Sequence, residues 1–444
     1  MFLDNWLAQR AETCPDRLAV RSAGRDLTYA ELELDAASAA RRLAARGVRR
    51  GAVVGLALDP GPEYVIVLHG LMKLGAVAYP LNTRLAEREL AADLQRADPA
   101  LVLRSPPDLG ASEADMPLLG EHDLDAVHCR LLTSGTSGLA RPVSLTYGNF
   151  LWSSVGTAFN LGIDPADRWL CCLPLYHVAG LAILMRSVIY GTGAVVHDGF
   201  DPERVARSLD EDGVTLVSLV ATQLIRLLDE NVDLSGPRAI VVGGGPVPLE
   251  VIEEASERGA TVVQSYGMTE TCSQVTALAP AEARSKAGSS GRPFLTSHLR
   301  IQDGEILVQG PTVAPGSADE DGWLHTGDLG RIDNEGFLYV EDRLGDLIIS
   351  GGENVMPTEV EDALLRHPDV ADAAAVGRAD QRWQEAVTAV VVLREGATAD
   401  PERLRAHCAT ELASYKVPKR FEFVPALPRT SSGKLLRREL RSTQ

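Results

Sequence analysis

The sequence has 444 residues, with 43 lysines and arginines against 61 aspartates and glutamates, and hence a formal net charge of −18. That length exceeds one ordinary domain and predicts two or more cores, while 45% hydrophobic and 23% charged residues exclude a disordered chain. An acidic chain without a basic block releases few counterions, so nucleic acid is not an expected partner.

The first twenty residues, MFLDNWLAQRAETCPDRLAV, predict an amphipathic helix containing Asp4 and Arg10, without the charged leader and unbroken apolar run of a signal peptide. The most apolar stretch, Leu170 to Tyr190, is interrupted by His177 and Arg186. It falls short of the roughly 20 clean residues that span a bilayer, so a soluble, cytoplasmic protein is expected. Six cysteines (Cys14, Cys129, Cys171, Cys172, Cys272, Cys408) lack CxxC spacing and read as reduced thiols with no zinc site. Lysine is scarce, occurring only at Lys73, Lys286, Lys416, Lys419 and Lys434, so each lysine merits a reason.

From Leu27 onward, strand-like and helical runs alternate. LTYAELELDAASAARRLAARG predicts a capped helix, AVVGLAL a buried strand and EYVIVLHGLMKLG a second helix. The pattern recurs in TLVSLVATQLIRLLDE, RAIVVGGGPVPLEVIEEASERG and TVVQSYG, which predicts a layered α/β domain with largely parallel sheets. Between Gly304 and Val340 short strands with glycine turns predict a small β-rich subdomain. After Asp342 come a helix from Thr358 to Arg366, strands at DAAAVGR and AVTAVVVL and a helix from Pro401 to Leu412, an α+β module of about 100 residues. The predicted domains are residues 1–342 and 343–444.

Six strings carry chemistry. In LLTSGTSGLARPVSLTYGNF, Thr133, Ser134, Gly135, Thr136, Ser137 and Gly138 follow an apolar run. Glycines let successive N–H groups face an anion and hydroxyls donate to phosphate oxygens. The Lys-Ser/Thr step of the common nucleotide-hydrolase loop is missing, and a Ser/Gly/Thr-rich surface turn is the plainer alternative. VVGGGP, Val241 to Pro246, joins a strand to a helix. SYGMTETCSQ brings an aromatic face (Tyr266), a hydroxyl (Thr269) and a carboxylate (Glu270) to one strand end. That set suits stacking on a base, phosphate contact and Mg²⁺ ligation, although a Thr-Glu pair also serves as a helix cap. In GWLHTGDLG, Asp328 is expected in a turn, where it can accept two hydroxyl protons of a diol. Arg343 in DRLGDLIISGGENVMPTEVE can reach the same diol or a phosphate. Lastly, PRTSSGKLLRREL puts Lys434 in a Ser/Thr-rich loop before a basic helix.

In order, spacing and domain context these strings resemble the adenylate-forming superfamily of acyl-CoA synthetases, peptide-synthetase adenylation domains and firefly luciferase. The resemblance runs from Tyr29 to Lys434. It implies a large amino-terminal domain of two α/β subdomains and a small β-rich subdomain, followed by a smaller, mobile α+β domain. It also implies activation of a carboxylic acid by ATP to an acyl-adenylate, then transfer to a thiol, usually coenzyme A. Carried over by position, Thr133 to Gly138 wrap the triphosphate, with Arg141 and Pro142 where relatives have lysine and glycine. Gly243, Gly244, Gly245 and Pro246 with Ser265, Tyr266 and Gly267 enclose adenine. Thr269 contacts the α-phosphate, Glu270 holds Mg²⁺, Asp328 and Arg343 bind ribose, Gly345 is the hinge, and Lys434 is the adenylation lysine.

For the acid, LPLYHVAGLAILMRSVIYG, SLVATQLIRLL and SYGMTETCSQ are most similar to the ligases that act on o-succinylbenzoate, an aromatic dicarboxylate of menaquinone biosynthesis. One carboxylate is activated; the other needs a cation or several donors inside an apolar pocket. Arg186 is the candidate cation, His177 a gate or wall of the acyl pocket, and Ser218, Thr222, Ser273 and Gln274 further donors. A monocarboxylate acyl-CoA synthetase, a carrier-protein adenylation domain and a non-catalytic nucleotide-binding relative are the alternatives. The oligomeric state is not legible.

Overall fold

Alternating apolar runs and amphipathic stretches become strands and helices much as their periodicity dictates. A computed structural model describes residues 1–22, 24–85, 87–105, 110–133, 141–350, 353–380, 383–398, 400–430, 433 and 435–442, with backbone alone at 87–89, 141, 353–354, 384 and 442. The Tyr29–Ala45 helix starts at a capping box. Thr28 Oγ1 accepts the Glu31 N–H at 3.3 Å, and the Glu31 carboxylate accepts the Thr28 N–H at 2.8 Å. Its buried residues, Tyr29, Leu32, Ala36, Ala39 and Leu43, follow the helical repeat.

The amino terminus departs from expectation. Phe2–Asp4 is a strand paired antiparallel with Glu121–Asp123, and the helix spans Trp6–Thr13. Asn5 stops the strand and caps the helix, its side-chain oxygen accepting Ala8 N–H at 3.2 Å. Asp4 therefore lies outside the helix and Arg10 inside it, while Leu18–Ser22 is a further strand.

A nine-stranded sheet runs in the order Arg292–Pro293, Ser273–Ala277, Val262–Met268, Ala239–Val242, Leu216–Leu219, Arg168–Cys171, Gly193–Val196, Leu18–Ser22, Arg25–Thr28. Its central strands are parallel and its edges antiparallel. A five-stranded sheet has the order Leu101–Leu103, Val53–Leu56, Val77–Pro80, Val127–Thr133, Arg141–Thr146. Central strands such as Ala239–Val242 are buried throughout, which is why they read as unbroken apolar runs. Leu170, Val217, Leu219, Leu224, Leu227, Ile240, Ile252 and Val262 form one core between sheet and helices. The short strands expected near residue 304 are present at Glu305–Gln309, Leu324–Ile332 and Leu338–Arg343.

The chain divides into two compact units: Met1–Arg300 with Leu307–His325 and Asp333–Leu338, and Ile301–Ile306 with Thr326–Ile332 and Tyr339–Gln444. In the second unit, Val370–Asp380 and Gln384–Leu393 form a long antiparallel pair, joined by Ile348–Ser350 and, in parallel, by Arg420–Phe423. The helices Pro357–Leu365 and Pro401–Glu411 bury Val360, Leu364, Leu404 and Cys408 with this sheet. No helix among the described residues is long and apolar enough to cross a membrane.

Candidate active site

Ligands of open α/β sheets lie beyond the carboxyl ends of their strands. Four adjacent parallel strands of the first unit deliver the predicted residues there. Arg168–Cys171 leads to His177, Leu216–Leu219 to Thr222, Ala239–Val242 to Gly243–Pro246, and Val262–Met268 to Thr269 and Glu270.

Of the residues expected to enclose adenine, Gly244, Gly245 and Pro246 are exposed. Gly243 permits a close approach, since a Cβ there would stand 2.8 Å from Ser265 Oγ. Ser265 Oγ donates to the Val242 carbonyl at 3.3 Å, binding the two strand ends together. The register between Val262–Met268 and Ser273–Ala277 shifts at Tyr266/Gly267. A Cβ on Gly267 would lie 1.9 Å from the Ser273 carbonyl oxygen. Glycine here serves the bulge that aims the strand end. Tyr266 is largely buried. The Glu270 carbonyl accepts Ala314 N–H at 2.8 Å. Asn149 supports the same loop, its amide donating to Pro311 O at 2.9 Å and Val313 O at 3.1 Å.

The predicted phosphate loop sits at a hairpin: Val127–Thr133 pairs antiparallel with Arg141–Thr146, with Thr133 opposite Arg141. Ser134, Gly135, Thr136, Ser137 and Gly138 lie outside the described residues, as does the side chain of Arg141.

Of the residues expected on the acid side, Ser273 touches Arg186 directly. Arg186 is only 2% exposed, on the apolar Val178–Tyr190 helix. Its Nη2 donates to the hydroxyls of Ser153 and Ser273, each at 3.3 Å, and Nε has no partner among the described residues. Its guanidinium carbon lies 5.5 Å from the centre of the Trp169 ring. Burial pushes its pKa below the ordinary arginine value. No carboxylate pairs with it among the described residues. An unpaired buried charge costs several kcal/mol, and no carboxylate among the described residues offsets it here.

The other acid-side residues have mixed duties. Ser218 Oγ accepts the Trp169 indole N–H at 2.9 Å. Gln274 is held at both ends, its Oε1 accepting Thr157 Oγ1 at 3.3 Å and its Nε2 donating to Ser265 Oγ at 3.2 Å. It therefore ties the Tyr147–Leu161 helix to the Val262–Met268 strand. Thr222 is half-buried at the start of the Ala221–Asp229 helix. His177 precedes the Val178–Tyr190 helix and packs 4.6 Å from the Tyr176 ring. Burial, with the nearby Arg84 charge, pushes its pKa down to about 4, so the imidazole is neutral near pH 7. Ser153, Trp169 and Asn149 were not among the residues expected from sequence. Polar residues recurring on the apolar helix NFLWSSVGT are the one signal that points to Ser153.

In the second unit, Asp328 lies within the strand Leu324–Ile332 rather than in a turn. It is 7% exposed and accepts Arg343 Nε at 2.6 Å. Lys434 lies outside the described residues, but its neighbours are held. Arg429 is gripped by both Asp372 carboxylate oxygens and donates to the Gly433 carbonyl at 3.1 Å. The other lysines all have structural partners. Lys73 pairs with Glu33, Lys286 with Glu335, Lys416 with Glu359, and Lys419 donates to the Ser414, Tyr415 and Val417 carbonyls.

Residues 7–129 and 116–317 match the family model of the AMP-binding enzymes, and residues 359–434 that of the AMP-binding enzyme C-terminal domain. The chain is 41% identical to the 2-succinylbenzoate–CoA ligase of Geobacillus kaustophilus, over 99% of this chain and 97% of that protein. It is similar in structure to the o-succinylbenzoate CoA synthetase of Bacillus subtilis in complex with the acyl-adenylate intermediate OSB-AMP, with TM-score 0.94, 38% identity and coverage of 100% of this chain and 99% of that one. The Bacillus subtilis synthetase in complex with ATP and magnesium ion matches with TM-score 0.93 and 38% identity over 100% of both chains.

Proposed function

The chain belongs to the AMP-binding enzyme family, and on that premise we propose that it joins o-succinylbenzoate to coenzyme A through an acyl-adenylate, with ATP as the second substrate. The observation that carries the choice of acid is Arg186, a buried cation without a carboxylate partner among the described residues. A dicarboxylic acid has one carboxylate to activate and one to place beside such a cation. A fatty or simple aryl acid offers nothing to repay its burial. The likeness to ligases of this substrate over nearly the whole chain supports the same choice.

Roles follow by position. The loop from Thr133 to Arg141 receives the triphosphate, and the exposed Gly244–Pro246 turn with Ser265, Tyr266 and Gly267 receives adenine. Thr269 contacts the α-phosphate, and Asp328 with Arg343 receives the ribose. Glu270 is a half-buried carboxylate, and no group of three or more acids, histidines or cysteines suited to a metal exists among the described residues. That donor set fits Mg²⁺ carried on nucleotide phosphates and water, with one protein carboxylate, better than a dedicated metal cage. When bound, Mg²⁺ neutralises phosphate charge. Lys434 bridges the attacking carboxylate and the α-phosphate, and Gly345 is the hinge between residues 1–342 and a mobile module, 343–444. The six cysteines are free thiols, which suits a cytoplasmic enzyme.

The test is pyrophosphate release with ATP and a panel of acids. Release with o-succinylbenzoate, and none above background with benzoate or octanoate, is expected. Release with those monocarboxylates but not with o-succinylbenzoate would overturn the reading.

A further inference from the structure

We propose that Trp169, held by Ser218, positions Arg186 and thereby sets the preference for a dicarboxylic acid; the proposal rests on the reading of Arg186 as the acid anchor. Arginine reaches its site on a flexible stem, so a guanidinium that must meet a ligand carboxylate needs a support that fixes its plane. The two hydroxyl contacts do not supply it. Both fall on the single nitrogen Nη2 and both are long, at 3.3 Å, while Nε is unpartnered among the described residues.

The remaining support is the indole of Trp169, whose ring centre lies 5.5 Å from the guanidinium carbon. The indole is itself fixed. It is 2% exposed, and its N–H donates to Ser218 Oγ at 2.9 Å. The sheet dictates this contact. Trp169 and Leu170 lie opposite Leu216 and Val217 on adjacent parallel strands, which puts Ser218 one step farther toward the carboxyl ends, where the ligand enters. Ser218, Trp169 and Arg186 thus form a chain without any acid.

The absence of an acid in this chain has a chemical consequence. A supporting aspartate or glutamate would orient Arg186 equally well but neutralise it, leaving little attraction for a ligand carboxylate. An aromatic face attracts the cation through its quadrupole and leaves the full charge available. The indole therefore orients the anchor while preserving its charge.

The experiment compares KM values for o-succinylbenzoate and for analogues of it that each lack one carboxylate, the comparator being the analogue still adenylated. In Trp169→Leu the KM for o-succinylbenzoate is expected to rise roughly three- to thirtyfold, and in Ser218→Ala by less. The KM values for the comparator and for ATP should stay within about twofold. An equal rise for both acids, or no rise, would overturn the proposal. Trp169→Phe, which keeps a ring face without the N–H, should fall between wild type and Trp169→Leu, and it carries the test if the leucine variant does not fold. Arg186→Ala separates the two levels of inference. If it fails to discriminate the dicarboxylate from the comparator, the anchor reading falls. If it discriminates and Trp169→Leu does not, only the positioning role falls.

Discussion

Arg343 donates from Nε to Asp328 Oδ1 at 2.6 Å, so the two residues proposed for the ribose are partners of each other. Asp328 also donates its backbone N–H to Thr326 Oγ1 at 3.1 Å, and Thr326 Oγ1 donates to the Ile306 carbonyl at 2.7 Å. This ties the Asp328 backbone, through Thr326, to the neighbouring strand Glu305–Gln309. A carboxylate has about four acceptor positions, enough in principle to serve a guanidinium and a diol together.

Asp328→Asn keeps the shape but removes the charge that both Arg343 and the diol require. Charge-assisted hydrogen bonds contribute about 1.5–3 kcal/mol, so the KM for ATP is expected to rise roughly tenfold to a hundredfold. The KM for the acid should be unchanged. Pyrophosphate release titrated with ATP at saturating acid measures this, and an unaltered ATP KM would reduce the pair to a structural ion pair.

Lys434 lies outside the described residues, in a chain that has only five lysines and uses arginine nearly everywhere else. A compact ammonium on a flexible stem can follow two oxygens as charge moves between them, which a planar guanidinium does poorly. At about 4 Å and an effective dielectric of 20 a unit charge is worth about 4 kcal/mol, or roughly three decades of rate. Lys434→Ala is therefore expected to lower pyrophosphate release about a thousandfold while sparing conversion of preformed acyl-adenylate to thioester. Equal loss of both steps would remove Lys434 from its assigned role.

Sequence made these features legible to different degrees, for physical reasons. The Thr28–Glu31 cap was readable because a capping box is a local pattern. The strand-to-helix turn at Gly243–Pro246 and the strand that carries Tyr266 were readable because period and glycine punctuation are also local. Asp328 was misread as a turn residue because Thr326 and Asp328 occupy buried positions of their strand, so the alternation that marks a strand was carried by polar side chains. Asp4 was misread because pairing with Glu121–Asp123 spans more than a hundred residues. Ser153, Trp169, Ser218 and Arg186 come from two helices and two strands. Only the register of the sheet brings them together, and no string contains it.

The first unit should be acid-sensitive through buried histidines. Burial pushes His69 and His128 down to about 3 and His122 down to about 4. All are neutral when folded and regain their ordinary value of about 6.5 on unfolding. Between those limits the unfolded chain binds more protons, so stability is full above about pH 6.5 and is lost as the pH falls toward the folded values. Each neutral histidine contributes up to about 1.4 kcal/mol per pH unit in that window. Tm should fall steadily from pH 7 to pH 5. His128→Leu should flatten the slope of unfolding free energy against pH by about one proton, because both His128 ring nitrogens lack partners among the described residues. An unchanged slope in denaturant titrations would show that His128 is already protonated in the folded chain.

The hinge can be tested at Gly345 because the backbone that follows is tethered. Arg441 donates to the Gly345 and Asp346 carbonyls, each at 3.0 Å, and Arg437 and Arg441 pair with the Asp346 carboxylate at 3.5 and 3.4 Å. From the Gly345 carbonyl onward the chain is thus tied to the tail helix Arg437–Ser442, and Gly345 is the position proposed to absorb the rotation. A side chain at this position meets open space, so Gly345→Asp should leave both half-reactions within about threefold of wild type, since surface changes in open positions cost little. Gly345→Pro fixes φ near about −65°. It is expected to preserve one half-reaction and slow the other at least about tenfold. Pyrophosphate release and thioester formation from preformed acyl-adenylate are measured separately. Equal loss of both steps, or none, would place the hinge elsewhere.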